Sequence, residues 1–197
     1  MPKIGIMKPT FARITAEPEN AAITYAAGKV FAHATEASVT YQKNDSTLHA
    51  DDTVQESDTS VTGAEITLGL DDIAEEYQTD LLGVAKSGLA GAEEYEITSD
   101  SAPYVGVGYV EVRKRNHVIS YMANWFHKVQ FGVPDESAKT KAEKIEFQTP
   151  TIKGKAMGVY LDDTGVLRYK TSKPCTTLAA ALSWLATKAN MAAGGGE

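Results

Sequence analysis

The sequence predicts a mainly β protein, a β-sandwich or barrel of about seven or eight strands with one flanking helix and a C-terminal helix. Three observations carry that prediction. Short runs rich in β-branched and aromatic residues alternate with turn-forming stretches along the chain. One pair of these runs, over residues 104–131, is long and strongly patterned. Helical spacing of apolar residues occurs in only two places, over residues 72–85 and after Pro174. With 197 residues, 43% of them hydrophobic, the chain is long enough to bury a core as a single domain over 1–191, followed by a disordered tail over 192–197.

In chain order, residues 30–41 (VFAHATEASVTY) read as a strand covered on one face. Residues 43–63 (KNDSTLHADDTVQESDTSVTG) are polar and acidic, with Leu48, Val54 and Val61 as their only aliphatic anchors. They read as a long loop or mobile hairpin. Loops of that length within a domain are usually disordered or functional, which makes this segment a candidate contact arm. Residues 64–70 (AEITLGL) read as a strand. Asp72 and Glu75 then make an acidic capping box, and Ile73, Tyr77, Leu81 and Ala85 follow helical spacing, predicting a helix over 72–85 that Gly83 and Gly88 help to end. Residues 86–101 read as irregular around a short strand at 95–98.

The pair of runs over 104–131 flanks Arg113-Lys114-Arg115-Asn116-His117, a polar stretch suited to a hairpin tip. In the second run the odd positions read Ile119, Tyr121, Ala123, Trp125, His127, Val129 and Phe131, which predicts one core face and one mixed face. Gly106 and Gly108 share a face and leave room for a bulky neighbour. Residues 134–141 read as a turn or short helical bend, and 142–149 as a strand that 151–160 continues beyond Pro150. Asp162-Asp163-Thr164-Gly165 is turn chemistry for a further hairpin. After Pro174, Leu178, Leu182, Leu185 and Ala189 trace one helical stripe, with Thr176 or Thr177 as its cap.

Charge and composition narrow the function. The net charge of -7 argues against a nucleic-acid binder, whose affinity comes from a basic face. The single cysteine, Cys175, excludes an internal disulfide framework and a cysteine-rich zinc site, and fits a reducing compartment. No stretch approaches the roughly 20 apolar residues that span a bilayer, and the first ten residues lack the apolar centre of a signal peptide, so cytosolic synthesis and no membrane association are expected. The charge is unevenly spread: residues 1–100 hold 6 basic and 18 acidic side chains, residues 101–197 hold 13 and 8. Such a split is either a dipolar surface or a device for self-association, in which acidic and basic faces of stacked copies meet.

Catalytic signals are thin. Asp163-Thr164-Gly165 matches the short motif of aspartic proteases, which need two such carboxylates sharing a proton and would here require a symmetric dimer. D-D-T-G is also a good turn in its own right. His33, His49, His117 and His127 lack the paired spacing of metal ligands. Gly106-Val107-Gly108 lacks the third glycine of a dinucleotide fingerprint, and Lys86-Ser87 lacks the glycine of a phosphate loop. Cys175 stands beside a predicted helix start, where a buried small side chain is expected. No catalytic residue, cofactor site or metal site is assigned, and the expectation is a protein that is not an enzyme.

Three ordered stretches carry a resemblance. Residues 50–83 run from the acidic segment through a strand and paired aspartates to the helix; residues 103–131 hold the Gly-Val-Gly-Tyr-Val core, the basic tip and the Trp-aromatic strand; residues 140–151 end in Ile145-Glu146-Phe147-Gln148-Thr149-Pro150-Thr151. Together they resemble the major tail proteins, or tail tube proteins, of long-tailed bacteriophages, in particular the phi13-type group. His117 departs from the pattern, standing where members often have glycine after Asn116, and the match weakens after Gly158, although Leu178, Trp184 and Leu185 resemble a C-terminal helix with a Trp-Leu pair.

The resemblance implies a tail-tube-like fold whose copies form hexameric rings, stacked around a tape measure protein and later conducting double-stranded DNA as passing cargo. Tail terminator and distal tail proteins are the implied partners at the tube ends. The implied locations are the host cytoplasm during assembly and then the virion. On this reading the arm over 43–63 is the ring-ring contact, an acidic bore lets DNA slide, and Asp45, Asp51, Asp52, Glu56 and Asp58 face Arg113, Lys114 and Arg115 across the junction. A ring protein of contractile injection machines is a further alternative, beside the dimeric protease.

Overall fold

The computed structural model describes residues 2–50, 53–89, 92–134 and 149–191. In chain order they form β1 (Lys3–Ala16), β2 (Thr24–Tyr25), β3 (Lys29–Val30), β4 (Ala34–Lys43), β5 (Ser46–Ala50), β6 (Thr53–Asp58), β7 (Val61–Leu70), α1 (Glu75–Leu82), β8 (Ala85–Leu89), β9 (Ala92–Glu96), β10 (Val105–Arg115), β11 (Val118–Phe131), β12 (Thr151–Ala156), β13 (Val159–Tyr160), β14 (Leu167–Arg168), β15 (Lys170–Cys175) and α2 (Leu178–Lys188). The protein is mainly β with two helices, the second of them C-terminal, as the sequence predicts.

Nine strands share one antiparallel sheet in the order β2-β1-β10-β11-β12-β7-β4, with β3 on β1 and β15 on β11. The sheet curls until β4 lies beside β1 again. Inside the curl is the larger core, built from Phe11, Ile66, Leu68, Val105, Val107, Phe126, Val129 and Ile152, with α1 adding Leu81 and Leu82. A second, smaller core lies on the opposite face, where α2 packs Ala181, Leu185 and Ala189 against Ala12, Val110, Ala123 and Trp125. A curled sheet with a helix on its back buries both faces of β10 and β11, which explains their nearly continuous burial.

β11 does not present one core face along its whole length. Val105 lies opposite Val129 but Val107 lies opposite Phe126, so two steps of β10 face three of β11. This bulge flips the side-chain parity. Ala123 and Trp125 therefore point to the α2 core, whereas Val129 and Phe131 join Phe126 in the curl. The strand changes partner at the same place, pairing β15 over Tyr121–Phe126 and β12 over Val129–Phe131.

The paired glycines of β10 do what their spacing suggests. A Cβ at Gly106 would lie 2.6 Å from Tyr25 Cε1 and against the Trp125 ring, and one at Gly108 would lie 2.5 Å from the Asn124 carbonyl and against Leu185. Their lack of side chains lets the Trp125 ring pack against β10 and brings Leu185 of α2 close. Thr177 caps α2, its hydroxyl accepting from the Ala180 N–H at 3.2 Å.

Several expectations are corrected. Periodicity reveals no strand before residue 30, yet β1 is among the two longest, at 14 residues. The strand expected over 30–41 divides into β3 and β4 around the buried Phe31. The helix begins at Glu75, not Asp72, and its N-cap is Ala74 with no side-chain cap, so the capping box does not form. Asp72 instead accepts the Ile73 N–H at 2.7 Å. Gly83 ends α1 in the left-handed region (φ 75°), but Gly88 lies within β8. Residues 86–101 are not mostly irregular: β8 and β9 form a hairpin that ends at Glu96. Most of the predicted turn over 134–141, the strand over 142–149 apart from Thr149, and the tail over 192–197 lie outside the described residues.

Candidate assembly interface

The described residues of the 43–63 segment pair as antiparallel strands. β4 and β7 pair as far as Lys43 and Val61, the Asn44 N–H then donates to the Ser60 carbonyl at 2.7 Å, and β5 pairs with β6 as a separate two-stranded ribbon. Asp58 anchors its base: one carboxylate oxygen accepts from Asn44 Nδ2 at 2.8 Å and the other from the Ser60 N–H at 2.9 Å. The Ser60 backbone N–H, followed by the Asn44 amide and the Ser60 hydroxyl, holds this carboxyl below its usual range. Asp58 is thus engaged within the chain. Asp45 and Glu56 are exposed, whereas Asp51 and Asp52 lie outside the described residues.

The basic set is less uniform than its sequence. The tip of the β10–β11 hairpin is only Asn116-His117, both at positive φ (48° and 63°), the geometry of a two-residue turn that matches strand twist. Arg113, Lys114 and Arg115 therefore belong to β10. Arg113 turns inward to Glu111, donating from Nη2 at 2.7 Å and Nε at 3.2 Å, and Lys3 Nζ meets the other carboxylate oxygen at 2.8 Å. Glu111 is 4% exposed. Burial works against its charge, but the bonds from Lys3 and Arg113 outweigh it and leave the carboxyl below its ordinary range. Lys114 and Arg115 stay exposed near the tip. Among the described residues no ion pair joins Asp45, Glu56 or Asp58 to Arg113, Lys114 or Arg115 within one chain.

Glu111 went unassigned in the sequence, although a signal existed: it shares parity with Val105, Val107 and Tyr109 in a run otherwise apolar, which marks a buried charge in need of partners. Lys170 is a second addition. Its ammonium lies 5.2 Å from the centre of the Phe126 ring, at the edge of a cleft between the β4/β7 ribbon and β14–β15.

Asp163 lies on the exposed β13–β14 turn, where its neighbour Asp162 accepts both the N–H (3.2 Å) and the hydroxyl of Thr164 and pairs with Arg168 at 2.7 Å. His33 is exposed against Asp71, and His127 is buried against Thr171. Among the described residues no three His, Cys, Asp or Glu side chains cluster as metal ligands. Cys175 is buried at the end of β15. No described helix is long and apolar enough to cross a membrane.

No protein-family model matches this chain, and a search of curated proteins returns no match.

Proposed function

We propose that this chain is the repeating subunit of a bacteriophage tail tube, a structural protein that assembles into hexameric rings stacked around a tape measure protein and later forms the conduit for DNA. The observation that carries the reading is the acidic β5–β6 ribbon extending from the end of a curled, open-edged sheet. A lone two-stranded ribbon is marginally stable in water, so this arm is built to be covered by another surface. Strand edges that would invite uncontrolled aggregation become useful when neighbours in a ring cover them. An arm on one end that meets a different surface on the next copy is a heterologous contact, which propagates into an open filament. The net charge of -7 suits a wall along which phosphates slide without binding.

The remaining parts of the assembly follow from the resemblance: the tape measure protein within the bore and terminator and distal tail proteins at the two ends, with shape and electrostatic fit, not catalysis, as the role of this chain. Negative-stain microscopy of the purified protein, fresh and after concentration, tests the reading. Hollow rods of uniform width are expected. A protein that stays monomeric at all concentrations, with or without its tape measure protein, refutes it, and isolated rings that never elongate favour the injection-machine alternative.

A further inference from the structure

The cleft beside the arm's base has unused charge. It has a volume of about 590 Å³ and is lined by Tyr41, Val61, Arg168, Tyr169, Lys170 and Ser172 among others. The Tyr169 hydroxyl donates to the Val61 carbonyl at 3.1 Å and ties its two walls together. Arg168 is committed to Asp162, and the nearby buried carboxylate, Glu111, is held by Lys3 and Arg113. Lys170 is left with the Phe126 ring face and, among the described residues, no carboxylate within ion-pairing distance. A half-buried ammonium stacked on an aromatic ring, flanked by two further cations and one already neutralised anion, attracts a carboxylate from outside. Burial already pushes its pKa below the ordinary lysine value.

Complementary groups exist on the same chain, and among the described residues those of Asp45, Glu56 and Asp58 form no ion pair with Lys170. Residues 44–60 carry five carboxylates and no Lys or Arg. Asp58 is engaged at the base of the arm, whereas Asp45 and Glu56 are exposed and have no ion-pair partner among the described residues. We propose that the cleft between the β4/β7 ribbon and β14–β15 is the receptor for the acidic arm of a second copy of this chain, with Lys170 pairing Asp45 or Glu56. This rests on the tail tube reading and replaces Arg113, already spent on Glu111, as the centre of the basic side of the junction. Because donor arm and receptor cleft are different surfaces, each copy offers one of each, and the contact repeats without closing.

Sedimentation and negative-stain microscopy over a concentration series separate this inference from the reading beneath it. If the wild-type chain forms no ordered multimers, with or without its tape measure protein, the tube reading itself fails. If it assembles, Lys170→Met, which keeps the aliphatic stem on Phe126, raises the half-assembly concentration by about tenfold or more, and Lys170→Glu raises it further. An Asp45→Lys, Glu56→Lys arm fails alike, and combining it with Lys170→Glu restores rods. Each variant is first shown by circular dichroism to be folded when unassembled. Wild-type assembly by Lys170→Met, or no restoration by the combined reversal, overturns the proposal. Succinate binding that is lost in Lys170→Met while assembly is unchanged also overturns it, assigning the cleft to a free carboxylate.

Discussion

His127 should make the fold sensitive to mild acid. It is 3% exposed at the β11 bulge, its Nε2 is 2.8 Å from Thr171 Oγ1, and its backbone carbonyl accepts from the Tyr25 hydroxyl at 2.9 Å. Burial, reinforced by the Lys188 and Arg168 charges, pushes its pKa down to about 4. A histidine whose folded pKa lies below its unfolded value of about 6.5 disfavours the folded state once the unfolded chain binds a proton. Its neutral form costs nothing above pH 6.5, and stability falls as the pH drops from there toward 4. Between pH 8 and pH 5 the loss amounts to roughly 2 kcal/mol, with a slope of about 1.2 kcal/mol per pH unit near pH 5.3. Asp58, Asp71, Glu111 and Asp162 are shifted downward, and the stability they supply is lost as the pH falls through the unfolded carboxylate range, so from pH 8 to 5 the difference between wild type and His127→Gln reports the histidine. Urea unfolding of dilute, unassembled protein, followed by tryptophan fluorescence at several pH values, measures the slope. His127→Gln should flatten it. A wild-type curve that is flat from pH 8 to 5, or a His127→Gln curve equally steep, would refute the reasoning.

Other perturbations test the packing directly. Gly108→Ala drives a methyl group into Leu185 and the Asn124 carbonyl and should cost about 1–3 kcal/mol in chemical denaturation, with α2 loosened first. His117→Gly removes a side chain from a left-handed turn position and should raise the melting temperature, corresponding to about 1 kcal/mol. Arg113→Leu leaves the buried Glu111 carboxylate with Lys3 alone and should destabilise by about 3 kcal/mol, whereas a double Arg113→Leu, Glu111→Leu variant recovers part of the loss in the same denaturation assay.

What the sequence made legible follows from how local the signals were. The β10–β11 hairpin, the Asp162–Gly165 turn and α2 are each specified by residues adjacent in the chain, so pattern and turn chemistry suffice. β1 was hidden because Pro9 and the positive-φ Lys8 sit inside it: a register shift between Met7 and Thr10 breaks the alternation, and an internal proline reads as a poor strand. The capping box failed for a tertiary reason, since Asp71 is engaged by the His33 N–H and ring and the chain enters α1 two residues later than Asp72 suggests. The arm was visible as composition. Its proposed receptor was not, because Lys170 becomes distinctive only when Arg113 and Arg168 are seen to be occupied and Phe126 lies beneath it.

One consequence of the β11 bulge concerns how the molecule comes apart. A single strand contributes Trp125 to the core under α2 and Val129 and Phe131 to the core inside the curl, so neither compartment can open while the other keeps its full set of side chains. Amide protons around residues 123–129 should then exchange with deuterium only through global unfolding, with one shared free energy of opening, while those of the β5–β6 and β8–β9 ribbons exchange early through local fluctuations. A chain so constituted yields as one mechanical element and leaves adaptability to its outlying ribbons.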